Sequence, residues 1–324
     1  MDSVKEVFSP LKQFADENMD LTYTLAAVGT CFVGYKILSS AKSVFKYCLR
    51  PSLDLKSRYG DGWAVVTGAS DGIGKGFAFE LAKRGFKVGL VGRNLEKLDQ
   101  VGKEIQEMYK VDTKSVVFDF NVHYTDEKIQ ELAEAVGVFD KVSLLINNVG
   151  MASLDNLHVM SDKDIHKQIN VNVVGNTVIT KILIPKLLEN ERSGMVFVGS
   201  VSYMGPSPKL AVYSASKNYV HQFALSLDKE YKDKIDVHVS ITASVKTNMN
   251  SGRYLFTILP DQHAKAVLDK LGIYTVSHGH YMHALGNYFQ SKYIEGSIIS
   301  YINRQRQKAF IEERNKQRKE QKNE

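Results

Sequence analysis

Between Gly62 and Ile241 the chain alternates two patterns of apolar residues. The first is a short apolar run, seen at Gly62–Thr67, Lys87–Val91, Ser115–Phe118, Val142–Ile146, Met195–Val198 and Val237–Ile241. Runs of this length bounded by glycines or polar turns read as buried strands. The second is a recurrence every three or four residues. Phe77 and Leu81 fall on one face of Ile73–Arg84, a helix ended by Gly85, and Leu95, Leu98, Val101, Ile105 and Met108 mark another. Strand–helix alternation predicts an α/β chain with a doubly wound parallel sheet covered on both faces. It is continuous from about Trp63 to Ile241 and contains no internal repeat, so it predicts a single domain, bounded at about 58–285.

The first fifty residues follow a different pattern. Leu21 to Tyr35 carries no charge, Lys36 interrupts, and Ile37 to Ala41 is again uncharged. Spanning a bilayer takes about 20 apolar residues, and the stem of Lys36 can snorkel from near the end of such a segment. Five acids and two lysines precede it, a net −3; Lys36, Lys42, Lys46 and Arg50 give +4 at its end. An acidic start is unlike a secretory leader. The asymmetry predicts a membrane anchor over about 21–41 with the following chain in the cytosol. The alternative is an amphipathic helix lying on a surface. Arg50-Pro51 ends the segment, giving an N-terminal unit of 1–50.

Composition adds limits. With 44% hydrophobic and 24% charged residues in 324, the chain is a folded one. Two cysteines, Cys31 and Cys48, exclude a disulfide framework and a cysteine-rich zinc module. The net charge is +6, and Asn303–Glu324 holds eight basic against four acidic residues, most of that excess. Residues 286–324 are therefore expected to hold the remainder of a lid and a helical basic tail. Without interleaved aromatics the tail does not predict nucleic-acid binding. His278, His280 and His283 lack a paired carboxylate motif, so no metal is expected, and they read as a strand near a substrate pocket. Tyr254-Leu255-Phe256 and the aromatics between Tyr274 and Tyr293 could line an acyl channel or pack a lid.

Between the first strand and first helix stands Thr67-Gly68-Ala69-Ser70-Asp71-Gly72-Ile73-Gly74. Gly68 permits the tight turn, Gly72 lets a pyrophosphate approach the backbone, and Gly74 allows close helix–strand packing. The helix start offers free N–H groups to the phosphates. This Rossmann arrangement makes Gly68, Ser70, Asp71, Gly72, Ile73 and Gly74 candidate cofactor residues. The second strand ends Val91-Gly92-Arg93-Asn94, without the acid that an NAD site uses on the ribose. Arg93 suits a 2′-phosphate instead, so NADPH/NADP is expected. Asp119, after the third strand, could accept from an adenine amino group or cap a helix.

Tyr213 and Lys217 are spaced i, i+4 and share a helix face. An ammonium beside a phenol is expected to draw the tyrosine pKa from about 10 toward neutrality, readying it for proton transfer at a carbonyl oxygen. Ser200 precedes Tyr213 by thirteen residues at a strand end, and Asn147-Asn148-Val149-Gly150 closes another strand. With the glycine loop, these motifs in this order resemble the short-chain dehydrogenase/reductase family over about Arg58 to Met249. The resemblance implies Tyr213 as general acid, Ser200 bonded to the substrate oxygen, and Lys217 holding the nicotinamide ribose and tuning Tyr213. It implies Asn172 (or, less readily, Asn170) holding a water in a proton relay, Asn148 beside the cofactor, and Thr247 on its carboxamide.

Tyr59-Gly60, the sequence Trp63–Lys75, Leu81–Gly85, Asn147–Met151, His280–Ala284 and the hydrophobic N-terminus resemble one membrane-bound subgroup more closely. It contains very-long-chain 3-oxoacyl-CoA reductases and 17-beta-hydroxysteroid dehydrogenases types 3 and 12. The resemblance implies NADPH-dependent reduction of a lipid ketone, an acyl-CoA or a steroid, at the endoplasmic reticulum membrane with the catalytic domain in the cytosol. It brings a homodimer and elongation-complex partners into view without deciding them. A rival of another class is a silent membrane scaffold that only binds nucleotide; an intact Ser200, Tyr213 and Lys217 argues against it. Three departures stand out. Thr242-Ala243-Ser244-Val245-Lys246-Thr247 lacks the proline usual after the sixth strand, the stretch after Gly150 lacks its relatives' tyrosines, and Gln321-Lys322 leaves a di-lysine retrieval signal incomplete.

Overall fold

The structure is a computed structural model, and it describes residues 9–10, 13–14, 16–205, 207–248 and 256–293. The basic tail, Tyr254 and Leu255 lie outside the described residues. The chain forms two compact units, Met1–Pro51 and Ser52–Glu324.

In the first unit, α1 runs Met19–Val44 and continues as a π-turn over Phe45–Leu49. At 1.5 Å per residue its 26 residues reach about 39 Å, more than a hydrocarbon core of about 30 Å. It buries none of its residues; Leu21, Leu25, Val28, Phe32, Ile37 and Leu38 are all exposed. The helix is thus longer than the 21–41 expected and is long and apolar enough to cross a membrane.

The second unit opens with α2 (Leu55–Tyr59), whose N-terminus Asp54 caps by accepting from the N–H groups of Lys56 and Ser57. There follow β1 (Trp63–Thr67), α3 (Gly72–Lys83), β2 (Lys87–Gly92), α4 (Leu95–Tyr109), β3 (Thr113–Val117), α5 (Asp126–Gly137) and β4 (Val142–Asn147). Then come α6 (Asp162–Ile169), a π-turn (Asn170–Gly175), α7 (Asn176–Leu188), β5 (Ser193–Val198), α8 (Ala211–Glu230), β6 (Ile235–Ser240), α9 (Pro260–Leu268), β7 (Val276–Ser277) and α10 (Tyr281–Tyr293). The sheet is parallel throughout, in the order β3-β2-β1-β4-β5-β6-β7.

Period-two alternation along each strand divides the core between the two faces. In β1, Trp63 and Val65 point to one face, where α5, α7 and α8 contribute Leu132, Leu183 and Ala224. Ala64 and Val66 point to the other, covered by Phe77 and Leu81 of α3, Ile105 of α4 and Val267 of α9. The apolar stretch through α6 and α7 is core, not a second span: Ile179, Leu183 and Leu187 are fully buried. The order reverses between β1 and β4, and ligands bind in such sheets in the crevice beyond the carboxyl ends of those strands.

Three strands begin earlier than the apolar runs indicated. β3 starts at Thr113, β5 at Ser193 and β6 at Ile235, because polar residues or glycine interrupt the apolar pattern at their starts: Thr113-Lys114, Ser193-Gly194 and Asp236. Asp236 in β6 is one of them. Its carboxylate takes Arg58 at 2.6 Å, the Tyr59 hydroxyl at 2.8 Å and Arg192 at 2.5 Å, pinning α2 to the sheet. The expected histidine strand is also corrected. β7 ends at Ser277, His278 and His280 lie in the turn after it, and His283 is on α10, since only two residues reach the edge of β6.

Candidate active site

The ends of β1 and β4 are tied by Thr67. Its hydroxyl accepts from the N–H groups of Asn148 and Val149, both at 3.0 Å, and donates to Ile146 O at 3.2 Å. The Asn148 amide donates to Thr67 O at 2.8 Å, so the turn after β4 backs the glycine loop. Gly68 and Gly72 sit at φ +65° and +53°, where a side chain is strained. A Cβ at Gly74 would stand 2.0 Å from Gly68 O, so the helix start packs directly on the loop. Asp71 caps α3 through Gly72 N at 2.7 Å, and its second oxygen accepts from Asn248.

A cavity of about 440 Å³ opens over these strand ends. Its walls bring together Gly68, Asp71, Gly72, Ile73, Asn148, Ser200, Tyr213, Lys217 and Thr247, nine of the residues singled out by sequence. Ser200 follows β5, and its hydroxyl accepts from Ser202 N and Ser202 Oγ at 3.2 and 2.9 Å. Tyr213 and Lys217 stand on one face of α8 as expected. The Lys217 ammonium donates to Val198 O at 2.7 Å and lies 5.9 Å from the Tyr213 ring centre.

The electrostatics correct the expected tuning. Burial pushes the Tyr213 phenol up from 10.0, and a hydrogen bond with Ser200 only partly offsets this. Burial pulls Lys217 down from 10.5 to about 8. The ammonium is committed to a backbone carbonyl and is itself desolvated, so it does not depress the phenol. At neutral pH the phenol keeps its proton.

Asn172 is fully buried in the π-turn. Its Oδ1 accepts from Met151 N at 2.8 Å, and its amide donates to Met151 O and Ser216 Oγ, both at 2.9 Å. Ser216 in turn donates to Tyr213 O at 2.7 Å. The Asn172 side chain therefore joins the β4 turn to the first turn of α8. Asn170 is only half-buried.

Four expected cofactor residues stand outside this cavity: Gly74, which packs behind the loop, and Ser70, Arg93 and Asp119. Ser70 does not line it. Arg93 is exposed at the end of β2 and has no ion-pair partner among the described residues. Asp119 is exposed and accepts from Asn121 N at 3.0 Å; it is not a helix cap, since Thr125 caps α5. Among the described residues no three metal-ligating side chains converge, at His278–His283 or elsewhere. The cavity also includes Thr242 and Ala243, noted by sequence only as part of the loop without proline, and Asn248, which carried no motif.

A Rossmann sheet with a glycine loop at its reversal point and a Ser, Tyr and Lys around one cavity defines a class of oxidoreductase. The short chain dehydrogenase family model matches residues 62–255, and the chain belongs to that family. Among curated relatives, a very-long-chain 3-oxoacyl-CoA reductase of Anas platyrhynchos is 35% identical, covering 79% of this chain and 84% of that protein. A hydroxysteroid dehydrogenase-like protein 1 of Gallus gallus is 33% identical over 81% of this chain and 82% of that one. Among solved structures, an Escherichia coli short chain dehydrogenase complexed with NADPH matches with a TM-score of 0.55 at 29% identity, covering 58% of this chain and 79% of that one.

Proposed function

We propose that the protein reduces a lipid ketone with NADPH, and that the preferred substrate is a long-chain 3-oxoacyl-CoA. The observation that carries the reading is the convergence of Ser200, Tyr213 and Lys217 with the glycine loop around one cavity. The residues present fit the cofactor. A Cβ at Gly68, Gly72 or Gly74 would fill or strain the phosphate cradle, and Arg93 stands exposed where a 2′-phosphate-binding cation belongs, with no carboxylate in Val91–Asn94. The NADPH in the Escherichia coli relative supports the same choice.

NADPH, when bound, supplies a hydride to the ketone carbon. Ser200 donates a hydrogen bond to the ketone oxygen, and Tyr213 gives its phenolic proton to that oxygen as negative charge develops. The raised phenol suits this direction, because a general acid must arrive protonated. Lys217 holds the nicotinamide ribose on the face of α8 that carries Tyr213. Asn172 belongs to the proton relay and, through Ser216, fixes the turn of α8 that carries Tyr213. Asn148 and Thr247 line the cofactor wall, Ser70 lies in the phosphate loop, and Asp119 faces the adenine.

The acyl-CoA reading rests on the relative that is 35% identical over most of both chains. A ketosteroid substrate is the second reading, supported by the hydroxysteroid dehydrogenase-like relative. The exposed apolar α1 and its charge flanks support an anchor in the endoplasmic reticulum membrane with the catalytic domain in the cytosol, within reach of elongation partners or a second copy of this chain. The testing experiment is NADPH oxidation by detergent-solubilised protein against 3-oxoacyl-CoAs of graded length and a panel of ketosteroids. Turnover rising with acyl length supports the first reading, turnover confined to steroids the second, and none on either overturns both.

A further inference from the structure

The loop after β6 lacks a proline, and the structure shows side chains behind it that fix its course. His283 of α10 and His263 of α9 are fully buried, and neither lines the active-site cavity. His283 reaches two consecutive residues of the loop. Its Nδ1 accepts from Ala243 N at 3.4 Å, and its Nε2 lies 3.0 Å from Ser244 O. An N–H opposite Nδ1 and a carbonyl opposite Nε2 match a neutral imidazole with its proton on Nε2. Burial, the largest influence, lowers the His283 pKa to about 4, in keeping with that neutral form.

His263 Nε2 lies 3.2 Å from the Thr242 hydroxyl, which is also 3.2 Å from Ser240 Oγ. The other nitrogen, His263 Nδ1, is buried without a hydrogen-bond partner, so the proton belongs on Nε2, donated to Thr242. His263 also meets Phe77 edge-on, with ring centres 6.1 Å apart, on the helix that begins at the glycine loop. Thr242, Ala243, Val245 and Thr247 face the cavity from the opposite side of the same loop, and Thr242 O accepts from Val201 N at 2.9 Å, next to Ser200.

The geometry points to His283 and His263 as positioning residues that clamp Thr242–Ser244 from behind and so set the cofactor-side wall of the active site. The inference rests on the NADPH reading of the cavity. It explains how a loop without proline keeps a defined course: two side-chain clamps replace a locked backbone torsion. It also assigns two buried histidines that take no part in proton transfer to substrate.

A rescue series at position 283 tests it. His283→Leu removes both hydrogen bonds, His283→Asn keeps an acceptor near Nδ1, and His283→Gln keeps a donor near Nε2. NADPH binding, followed by fluorescence, should weaken roughly tenfold in the Leu variant and about threefold in the other two. The KM for NADPH should rise in the same order, while kcat changes less. At the second clamp, His263→Phe removes the ring nitrogen from the Thr242 hydroxyl and leaves that hydroxyl only its Ser240 contacts, whereas His263→Phe with Thr242→Val replaces both partners and should restore most of the loss. Thermal melts of each variant report folding. Wild-type NADPH affinity in a folded His283→Leu variant would overturn the inference. So would equal losses in all three 283 variants together with no recovery in the double variant, which is the pattern of general core damage. Wild-type protein that binds no NADPH would instead sink the cofactor reading.

Discussion

Lys217→Met replaces a buried ammonium with an apolar chain of similar reach. In the wild type, burial has already drawn this ammonium down to about 8 from 10.5. At about 1.4 kcal/mol per unit, enclosing the charged form costs about 3 kcal/mol. The substitution removes that cost but leaves Val198 O without its donor, a loss of about 1–3 kcal/mol. Near pH 7 the two nearly cancel, so the variant should fold with a melting temperature within a few degrees of wild type. Raising the pH separates them. Between the folded value near 8 and the unfolded value near 10.5 the unfolded chain binds more protons, so wild-type stability rises with pH. Relative to the Met variant the wild type should gain about 3 kcal/mol across that window. Turnover of the variant should fall at least about 10²-fold. Denaturant midpoints for both proteins from pH 7 to 10.5, with NADPH turnover at pH 7, measure each part. Stability–pH curves that run parallel would refute the enclosure argument, and retained turnover would refute the assigned role.

Arg93→Ala removes a charge-assisted phosphate contact of about 1.5–3 kcal/mol, so NADPH should bind roughly 10- to 150-fold more weakly while NADH is nearly unchanged; equal losses for both count against the 2′-phosphate assignment. Gly74→Ala places a methyl 2.0 Å from Gly68 O and 2.6 Å from Asn148 Nδ2, an overlap that only a shift of the loop relieves, and strain of this kind costs about 1–3 kcal/mol; it should weaken both cofactors in parallel, and unchanged NADPH fluorescence titrations would contradict the close-packing argument. For the anchor, protease added to sealed microsomes should digest the catalytic unit while carbonate leaves the chain in the membrane pellet; protection or carbonate release would contradict a cytosol-facing integral anchor.

The parts of the fold that sequence made legible are those whose physics is local. Apolar runs such as Val142–Ile146 mark buried strands because every position in them meets a core, and Phe77 and Leu81 mark α3 because one helix face does. The glycine loop was readable because its backbone needs residues without Cβ at fixed spacing. β7 was not, since two residues make no period and its pairing depends on β6, far away in sequence. The site divides in the same way. Tyr213 and Lys217 are one helical turn apart, so their shared face follows from spacing alone. Their charges are set by burial and by Val198 O, which spacing does not reveal, and the expected lowering of the phenol became a rise. Asn172 stood in a motif, yet its bonds to Met151 and Ser216 join segments 21 and 44 residues away.

The most direct test of the account is turnover of a long 3-oxoacyl-CoA with NADPH by wild type and Tyr213→Phe. The substitution keeps the ring and removes the one hydroxyl assigned to protonate the developing alkoxide. General acids contribute about 10²–10⁴-fold, so turnover should fall by at least that range while NADPH binding, followed by fluorescence, survives. A Phe variant that binds NADPH and keeps more than about a tenth of wild-type turnover would mean that the proton comes from elsewhere, and the assignment of this cavity would not stand.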